Sequence, residues 1–445
     1  EFNPTQENWF KIRVTDYWGL TTLNNSYLVL DSPPTTSELY PIIHEDGIFN
    51  ISWSQNNDDD FQSYTLYESL SEDMSNLTEV FTSESTTETS YFVTGISEGE
   101  TRYYQIITED VWGLGSSSNI QMGHSFIRFT QTFGGSSDEY GYSGQQTTDG
   151  GYIITGYTQS YGNGGKDVWL IKTDSNGNEQ WNQIFGGSSD EYGYSVQQTT
   201  DGGYIIFVNT QSFGNGWYDI WLIKTDSEGN EQWNQTYGGD SFDYGKSGQQ
   251  TADGGYIITG FTLVDSDDYD VWLIKTDSNG NEQWNQIFGG SSNEKGNSVQ
   301  QTEDGGYIIA GYTGETGLDG GGIDGLLIKT DSQGQEEWNQ TYGDVNWNSF
   351  ESIQQTSDGG YIITGETGWP SSSYYLWLIK TDSQGQEEWN QTYGGNSSEI
   401  GYSVYQTEGG GYIITGRTSS YGNGGSDVWL IKTDSEGNTA DYGEE

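Results

Sequence analysis

Side chains suited to covalent chemistry are scarce in this sequence, and the scarcity already excludes several mechanisms. The two histidines, His44 and His124, both precede residue 126, and there is no cysteine. From residue 126 to 445 a Ser–His–acid nucleophile or a multi-histidine metal centre therefore has no imidazole to use. The same stretch holds two arginines, Arg128 and Arg417, too few for a three-arginine carboxylate clamp. Carboxylates abound instead: 66 Asp and Glu against 14 Lys and Arg give a formal net charge of −52. Two of them at a suitable separation suffice for glycoside hydrolysis, but no spacing singles out a pair.

Hard oxygen ligands also suit calcium. Asp138 and Glu139 in SSDE, Asp190 and Glu191 in its second copy, and Asp265, Asp267, Asp268 and Asp270 in DSDDYD are the candidate ligands. None follows the spaced acidic pattern of an EF-hand loop, so calcium is an optional ligand and no cofactor is expected to be required. The acidic field repels phosphate backbones and anionic membranes and attracts cations. Nucleic acid is excluded as a partner; neutral glycans, divalent ions and basic surfaces remain.

These groups must be held by some framework, and residues 126–445 repeat. The phrase GGY followed by two Ile recurs at Tyr152, Tyr204, Tyr256, Tyr307, Tyr361 and Tyr412, at spacings of 52, 52, 51, 54 and 51. Such a period marks six copies of one supersecondary unit. Each has four strand-like runs, in the first YSGQQT, GYIITGYT, DVWLIKT and EQWNQIF. TDGG and SNGN between them read as hairpin turns, because Gly and Asn tolerate positive φ. Runs such as YIIT and VWLI fit strands covered on both faces. Burial then grades from a Gln-rich first strand, through two apolar ones, to a last strand with a lone Trp. A radial stack with its first strand at a wet centre gives that order, so the expected fold is a six-bladed β-propeller.

Between strands, the a–b and c–d turns scarcely vary, whereas the d–a and b–c loops do. In a propeller these variable loops share one face, where binding usually lies. Tyr140, Tyr161, Tyr192, Phe213, Trp217, Tyr218, Tyr269, Trp347, Trp369, Tyr374 and Tyr421 stud them and are the candidate ligand-binding residues. Rings beside Asn, Asp and Gly suit stacking on sugars. The Lys of LIKTD recurs in all six units (Lys172, Lys224, Lys275, Lys329, Lys380, Lys432), which argues for a structural ion pair rather than catalysis. Sequons for N-glycosylation stand at Asn24, Asn50, Asn76, Asn234, Asn339, Asn390 and Asn396, and WNQT places three of them on outer strands.

An apolar strand ending in Gly, a variable loop, a second apolar strand, a turn and a Trp, as in YIITGYT followed by DVWLIKTDSNGNEQW, is similar to the kelch repeat. The resemblance spans about 320 residues, extends to repeat propellers of archaeal and bacterial surface proteins, and implies propeller blades. The turn TDSNGNEQW (173–181) is loosely similar to the Asp-box of sialidases, with its Asp and Trp one place off, and reads as a hairpin turn. Residues 32–123 resemble a fibronectin type III domain through FNISWSQ with Trp53, YTLYESLSED with Tyr64 and Tyr67, and GISEGETRYYQIITEDVWG. That resemblance gives Tyr103 or Tyr104 the corner contact. Residues 1–31 repeat the tail of this domain and read as the C-terminal part of a preceding one, so the chain is expected to belong to a longer protein. The sixth unit, ending LIKTDSEGNTADYGEE, lacks a fourth strand. IRFTQTFGG (127–135) aligns with EQWNQIFGG, setting Phe129 at the Trp position and Phe133 opposite Phe185, and is expected to pair with 427–433 and close the ring.

The expected fold is all-β: fibronectin type III-like sandwiches over 1–31 and 32–123, then a six-bladed β-propeller over 126–445 closed by an N-terminal strand. The expected function is non-enzymatic. It is that of an extracellular or cell-surface protein with a sandwich stalk and a propeller head for adhesion or glycan binding, in a surface layer or filament. Partners are glycans, other surface proteins, or further copies joined through the sandwich modules. No apolar run reaches the roughly 18 residues of a membrane span. The alternative is a carbohydrate-active enzyme, a glycoside hydrolase or lyase with a carboxylate pair at the channel mouth. Its site would be sought first where the repeat is irregular, at TGETGLDGGGID (313–324) and GDVNWNSFES (343–352).

Overall fold

A computed structural model describes residues 8–15, 21–29, 32–45, 47–97, 99–125, 130–265, 268–314, 322–343, 347–368, 373–407, 409–422 and 425–439, the first two stretches as backbone alone. Every described regular element is a strand, and the chain divides into two compact units, residues 1–130 and 131–445. None of the described segments is a helix long and apolar enough to cross a membrane.

In the first unit Asn8–Thr15 pairs antiparallel with Thr21–Val29. Two further sheets follow. One orders Ile43–Glu45, Ile48–Ser52 and Ser90–Thr94; the other orders Gln121–His124, Thr101–Asp110, Phe61–Ser69 and Thr78–Ser83, with Gly115–Ser117 beside Thr101–Asp110. Phe49, Ile51 and Trp53 from the first and Tyr64, Leu66, Tyr104 and Ile106 from the second form one core. Alternation along each strand, as in Phe49–Ile51 and Tyr104–Ile106, is what supplies one apolar face per sheet. Tyr104 is the buried member of the Tyr103/Tyr104 pair, and its hydroxyl donates to the Glu68 carboxylate at 2.8 Å. Arg102 holds the same carboxylate at 2.9 Å.

The second unit is a row of antiparallel sheets ordered a-b-c-d, five with four strands and a sixth with three. Sheet one runs Glu139–Gln146, Tyr152–Thr158, Asp167–Thr173 and Glu179–Phe185. Sheets two to six occupy 191–237, 243–288, 293–342, 347–393 and 399–432. The continuous apolar runs are explained by packing on both sides. In sheet two, Tyr204, Ile206, Val208, Trp221 and Ile223 meet Ile153, Val168 and Leu170 of sheet one, while Ile205, Phe207, Ile220 and Leu222 meet Tyr256, Ile258, Trp272 and Ile274 of sheet three.

The repeated polar residues hold this row together. Lys172, Lys224, Lys275, Lys329 and Lys380 are each buried at about 3 % exposure. Their ammonium groups reach Asp149, Asp201, Asp253, Asp304 and Asp358 of the a–b turns at 2.9–3.0 Å. The expected structural ion pair is therefore present in five sheets. The paired glutamines of strand a line a cavity of about 420 Å³ at Gln249, Gln300, Gln301 and Gln355, and they also tie the sheets to one another. Gln145 Oε1 accepts from the Gln198 backbone at 2.7 Å and Gln198 Oε1 accepts from Thr148 at 2.9 Å, so each sheet is tied to the next. Gln197 with Gln250, Gln300 with Gln355 and Gln354 with Gln406 continue the ladder.

Closure of the row is not seen among the described residues. Residues 130–135 lie in no strand, and Asp427–Lys432 pairs with Tyr412–Thr418 alone among the described residues. Phe126–Phe129, the rest of the expected closing strand, lies outside the described residues. Val428 and Leu430 on sheet six are 89 % and 65 % exposed, whereas their sheet-five counterparts Leu376 and Leu378 are fully buried. On sheet one, Tyr152 and Ile154 are half-buried where Tyr204 and Ile206 of sheet two are buried. Among the described residues, no sheet packs on these faces of sheets one and six. Phe133 does reach sheet one, lining a cavity of about 120 Å³ with Ile154, Trp169 and Ile171.

Candidate functional site

Strand a of every sheet joins strand b through a bulge that leaves one residue without a Cα partner: Tyr142, Tyr194, Lys246, Asn297, Glu351 and Tyr402 in turn. Gly156 in strand b lies so close to the Tyr140 carbonyl that a Cβ there has no room. Sheet two forms the same bulge with Val208 in that place, so glycine accommodates the close approach rather than causing it. The bulge brings these side chains to the sixth residues of the b strands. Tyr142 lies 5.9 Å from Tyr157 between ring centroids, and the Glu351 carboxylate interacts with Tyr312 and Glu366. Arg417 interacts with Tyr402 and Glu366.

On sheets one to three this face is aromatic without a break. Ring centroids step from Tyr140 to Tyr157 (5.2 Å), Tyr192 (5.5 Å) and Tyr218 (6.4 Å). The run continues to Tyr244 (4.7 Å), Phe261 (5.1 Å) and Tyr269 (5.4 Å). Tyr142 and Tyr194 stack beside it at 5.1 Å. Cations lie over the rings: Lys166 over Tyr157 at 4.9 Å and Tyr192 at 4.7 Å, Lys246 over Tyr194 at 5.9 Å, and Lys295 over Phe261 at 4.3 Å and Tyr269 at 4.7 Å. Such contacts gain strength where water is excluded.

Sheets four to six bring charge onto this face beside the Tyr312 and Tyr402 rings. Asn297 donates to the Phe350 carbonyl at 2.9 Å and faces Glu351 at 3.4 Å. Burial raises the Glu351 carboxyl, opposed by the Lys246 ammonium and a Ser349 hydrogen bond. Glu366 is pushed up to about 7, by burial first and then by Glu351, with Arg417 opposing. Its Oε2 has no hydrogen-bond partner among the described residues. Burial, and then Lys246, lowers Lys295. Desolvation and a like charge act together on both the acidic and the basic member.

The expected ligand-binding aromatics separate into two sets. Tyr140, Tyr192, Tyr218 and Tyr269 join the run just described. Tyr161, Phe213 and Tyr421 instead pack down on Trp169, Trp221 and Trp429 at 5.8, 4.6 and 5.5 Å. Trp217 is 70 % exposed and stacks on Phe242 at 5.7 Å. Trp347 and Tyr374 are half-buried at strand starts facing Gly368, and Trp369 lies outside the described residues. Tyr142, Tyr194, Lys246, Glu351, Glu366 and Arg417 were not among the expected residues. The signal for them was present: they occupy the few strand positions at which otherwise near-identical units differ.

The candidate calcium ligands are spread over separate roles. Glu191 accepts from the Gly187 amide at 2.8 Å, Thr210 at 3.0 Å and the Ser212 amide at 3.1 Å, and Glu139 accepts likewise from Gly135 and Thr158. Asp190 accepts from the Lys166 amide and the Tyr192 hydroxyl, both at 3.1 Å, and Asp138 and Asp265 are exposed. Asp270 is buried and pushed up to about 6 by burial, then Asp268 and Glu294; Asp267 lies outside the described residues. No group of three or more metal-ligating side chains occurs among the described residues. Of the sequons, Asn76, Asn234, Asn339, Asn390 and Asn396 are exposed, Asn50 is half-buried, and the side chain of Asn24 is not described.

Fold and site define an all-β protein in which repeated antiparallel sheets follow a smaller unit of two facing sheets. No family model matches the chain, and no curated protein matches it. Among solved structures it is similar to the sixth fibronectin type III domain of a human fibronectin type III domain-containing protein, at 18% identity over 23% of this chain and 96% of that one, TM-score 0.20. It is similar to a puromycin hydrolase mutant complexed with PGG, at 9% identity over 78% of this chain and 54% of that one, TM-score 0.45. A Synechocystis apocarotenoid oxygenase mutant matches at 8% identity over 89% and 91%, TM-score 0.35. These likenesses are too slight to carry any property across.

Proposed function

We propose that the six sheets are blades of a kelch-like β-propeller left open between sheets one and six, behind a fibronectin type III-type module. We further propose that the protein is a non-enzymatic extracellular or cell-surface binder whose propeller holds glycans on the bulged face. The observation that supports this reading is the unbroken run from Tyr140 to Tyr269, in which Tyr140 is 56 % exposed and Tyr192, Tyr218, Tyr244 and Tyr269 are half-buried. Flat apolar rings beside carboxylates and amides suit the faces and hydroxyls of sugars. Titration of galactotriose into the protein and into Tyr192→Ala/Tyr244→Ala tests it. Binding that the double variant loses at least tenfold supports the site; equal binding by both proteins rules it out.

A second reading, a glycoside hydrolase, is favoured by one arrangement. Glu366, pushed up to about 7 by burial and then by Glu351, holds the proton that an acid needs near neutrality and lies beside a second carboxyl, Glu351, which burial also raises. A protonated Glu366 would donate to the glycosidic oxygen while the other carboxylate meets the developing positive charge at the sugar. Sugar release that Glu366→Gln abolishes, with binding kept, would establish this reading over the first.

A further inference from the structure

A pair of acids recurs at each junction from sheet one to sheet four. The first stands near the start of strand c and the second near the start of strand a of the next sheet: Asp167 with Glu191, Asp219 with Asp243, Asp270 with Glu294. None of the six is more than 9 % exposed. Each pair turns one oxygen from either acid to the glycine between them in the chain, Gly186, Gly238 or Gly289. Both oxygens lie within 3.0 Å of the point where a Cβ on that glycine would stand. The second acid acts as an acceptor: Glu191, Asp243 and Glu294 take hydrogen bonds from Gly187 and Thr210, Gly239 and Thr262, and Gly290 and Thr313. Asp219 Oδ2 accepts from the Gly216 amide at 3.0 Å, but Oδ1, the oxygen turned to Asp243, has no hydrogen-bond partner among the described residues. The same holds for Asp270 Oδ1, which is turned to Glu294. Two buried oxygens that only accept thus face each other with no donor between them, which is unfavourable unless a cation joins them.

The other two junctions use the chain's own side chains at this contact. Asn348 takes the second acid's place beside Asp324, and its Nδ2 faces the shared point at Gly343. Tyr375 takes the first acid's place beside Glu399 at Gly394, opposite Thr367 as Asp167 is opposite Thr158. One acid is therefore given up at each of these junctions, and both are kept at the other three.

We propose that the pairs Asp167–Glu191, Asp219–Asp243 and Asp270–Glu294 each hold a calcium ion between neighbouring sheets. A divalent ion balances two carboxylates, whereas a shared proton balances only one. Hard oxygens at the meeting of two loops suit calcium's flexible coordination better than the near-ideal octahedron magnesium demands, and backbone carbonyls and water complete the shell. Burial above all, with the neighbouring acids contributing, raises the carboxyls of Asp167, Asp219 and Asp270. That is the behaviour of an acid that keeps a proton when the ion is absent. A net charge of −52 draws cations towards the sites.

The test is calorimetric titration of calcium chloride into the chelator-treated full chain at neutral pH, in about 150 mM salt so that loosely attracted ions are screened. Three ions per chain are expected, with a melting midpoint that rises as they bind. Asp243→Asn gives the second junction the arrangement the chain already has at Asn348, and is expected to bind one ion fewer than wild type. Asp324→Asn, at the fourth junction, is expected to bind the wild-type number. Absence of binding by the wild-type chain at millimolar calcium overturns the proposal and leaves a shared proton to join each pair. An unchanged number of ions in Asp243→Asn overturns it equally, because the ions then sit elsewhere. Should that variant not fold, Asp270→Asn is read in the same way at the third junction. Neither result bears on the glycan reading, which uses other residues.

Discussion

The Trp233 ring occupies the space that a side chain on Gly280 would need: a Cβ there would fall 2.5 Å from Cζ3. Trp233 ends sheet two, Gly280 turns between strands c and d of sheet three, and the same contact recurs from Trp181 on Gly229 to Trp389 on Gly437. Gly280 also has φ +76, a left-handed conformation costly for other residues. Gly280→Ala is therefore expected to destabilise the second unit by about 2–3 kcal/mol, summing backbone strain and overpacking. Urea unfolding of the variant measures it, and a loss under 0.5 kcal/mol would mean the turn and the Trp move apart freely.

Removing one partner of a repeated ion pair should depend on which partner goes. Lys275 is buried and Asp253 is half-exposed; Asp253 Oδ1 also accepts from Thr251 and Gly255, bonds that an Asn can keep. Asp253→Asn leaves a buried ammonium facing only neutral acceptors and is expected to cost about 1–2 kcal/mol. Lys275→Met leaves an exposed carboxylate and should stay within about 1 kcal/mol. Chemical denaturation of the two variants should show this order; the reverse order would mean the ammonium is not desolvated.

Leu430 and Leu378 occupy equivalent places on sheets six and five but differ in burial. Leu430→Ala is expected to change stability by under about 0.5 kcal/mol, and Leu378→Ala to cost about 2–5 kcal/mol. Equal costs would show that the face of sheet six is covered in solution.

Acid should stabilise the protein over part of the pH range. Asp270 and Glu366 are raised to about 6 and about 7, and Asp167, Asp219 and Glu351 move the same way through burial. Unfolded carboxyls titrate near 4, so between roughly pH 4 and 7 the folded chain binds more protons. Their contribution is complete below pH 4 and is lost as pH rises through 6 and 7. Asp149 and Asp358, lowered to about 2, act oppositely: their contribution is full above about pH 4 and is lost as pH falls from there through about 2. The melting midpoint is expected to rise from pH 7 to pH 4 and fall below pH 3. Asp270→Asn/Glu366→Gln should flatten the upper limb; an unchanged limb would assign it to general charge repulsion.

What the sequence by itself determined is local. Strand positions, hairpin turns, the order a-b-c-d and the structural role of the LIKTD lysines follow from alternation, Gly–Asn turns and recurrence, all of which act within about ten residues. Burial on both faces was also legible, because YIIT and VWLI leave no polar side to expose. Tertiary structure decided what lies across sheets. Lys246 and Glu351, about a hundred residues apart along the chain, both stand at bulges and interact, in a register that depends on strand pairing and close approach of backbone. The ends of the row depended on it too. The residues at Phe133 and Leu430 match their counterparts in other units, yet Leu430 is 65 % exposed where Leu378 is buried, because burial of a sheet face depends on whether another sheet packs on it, which no single unit encodes.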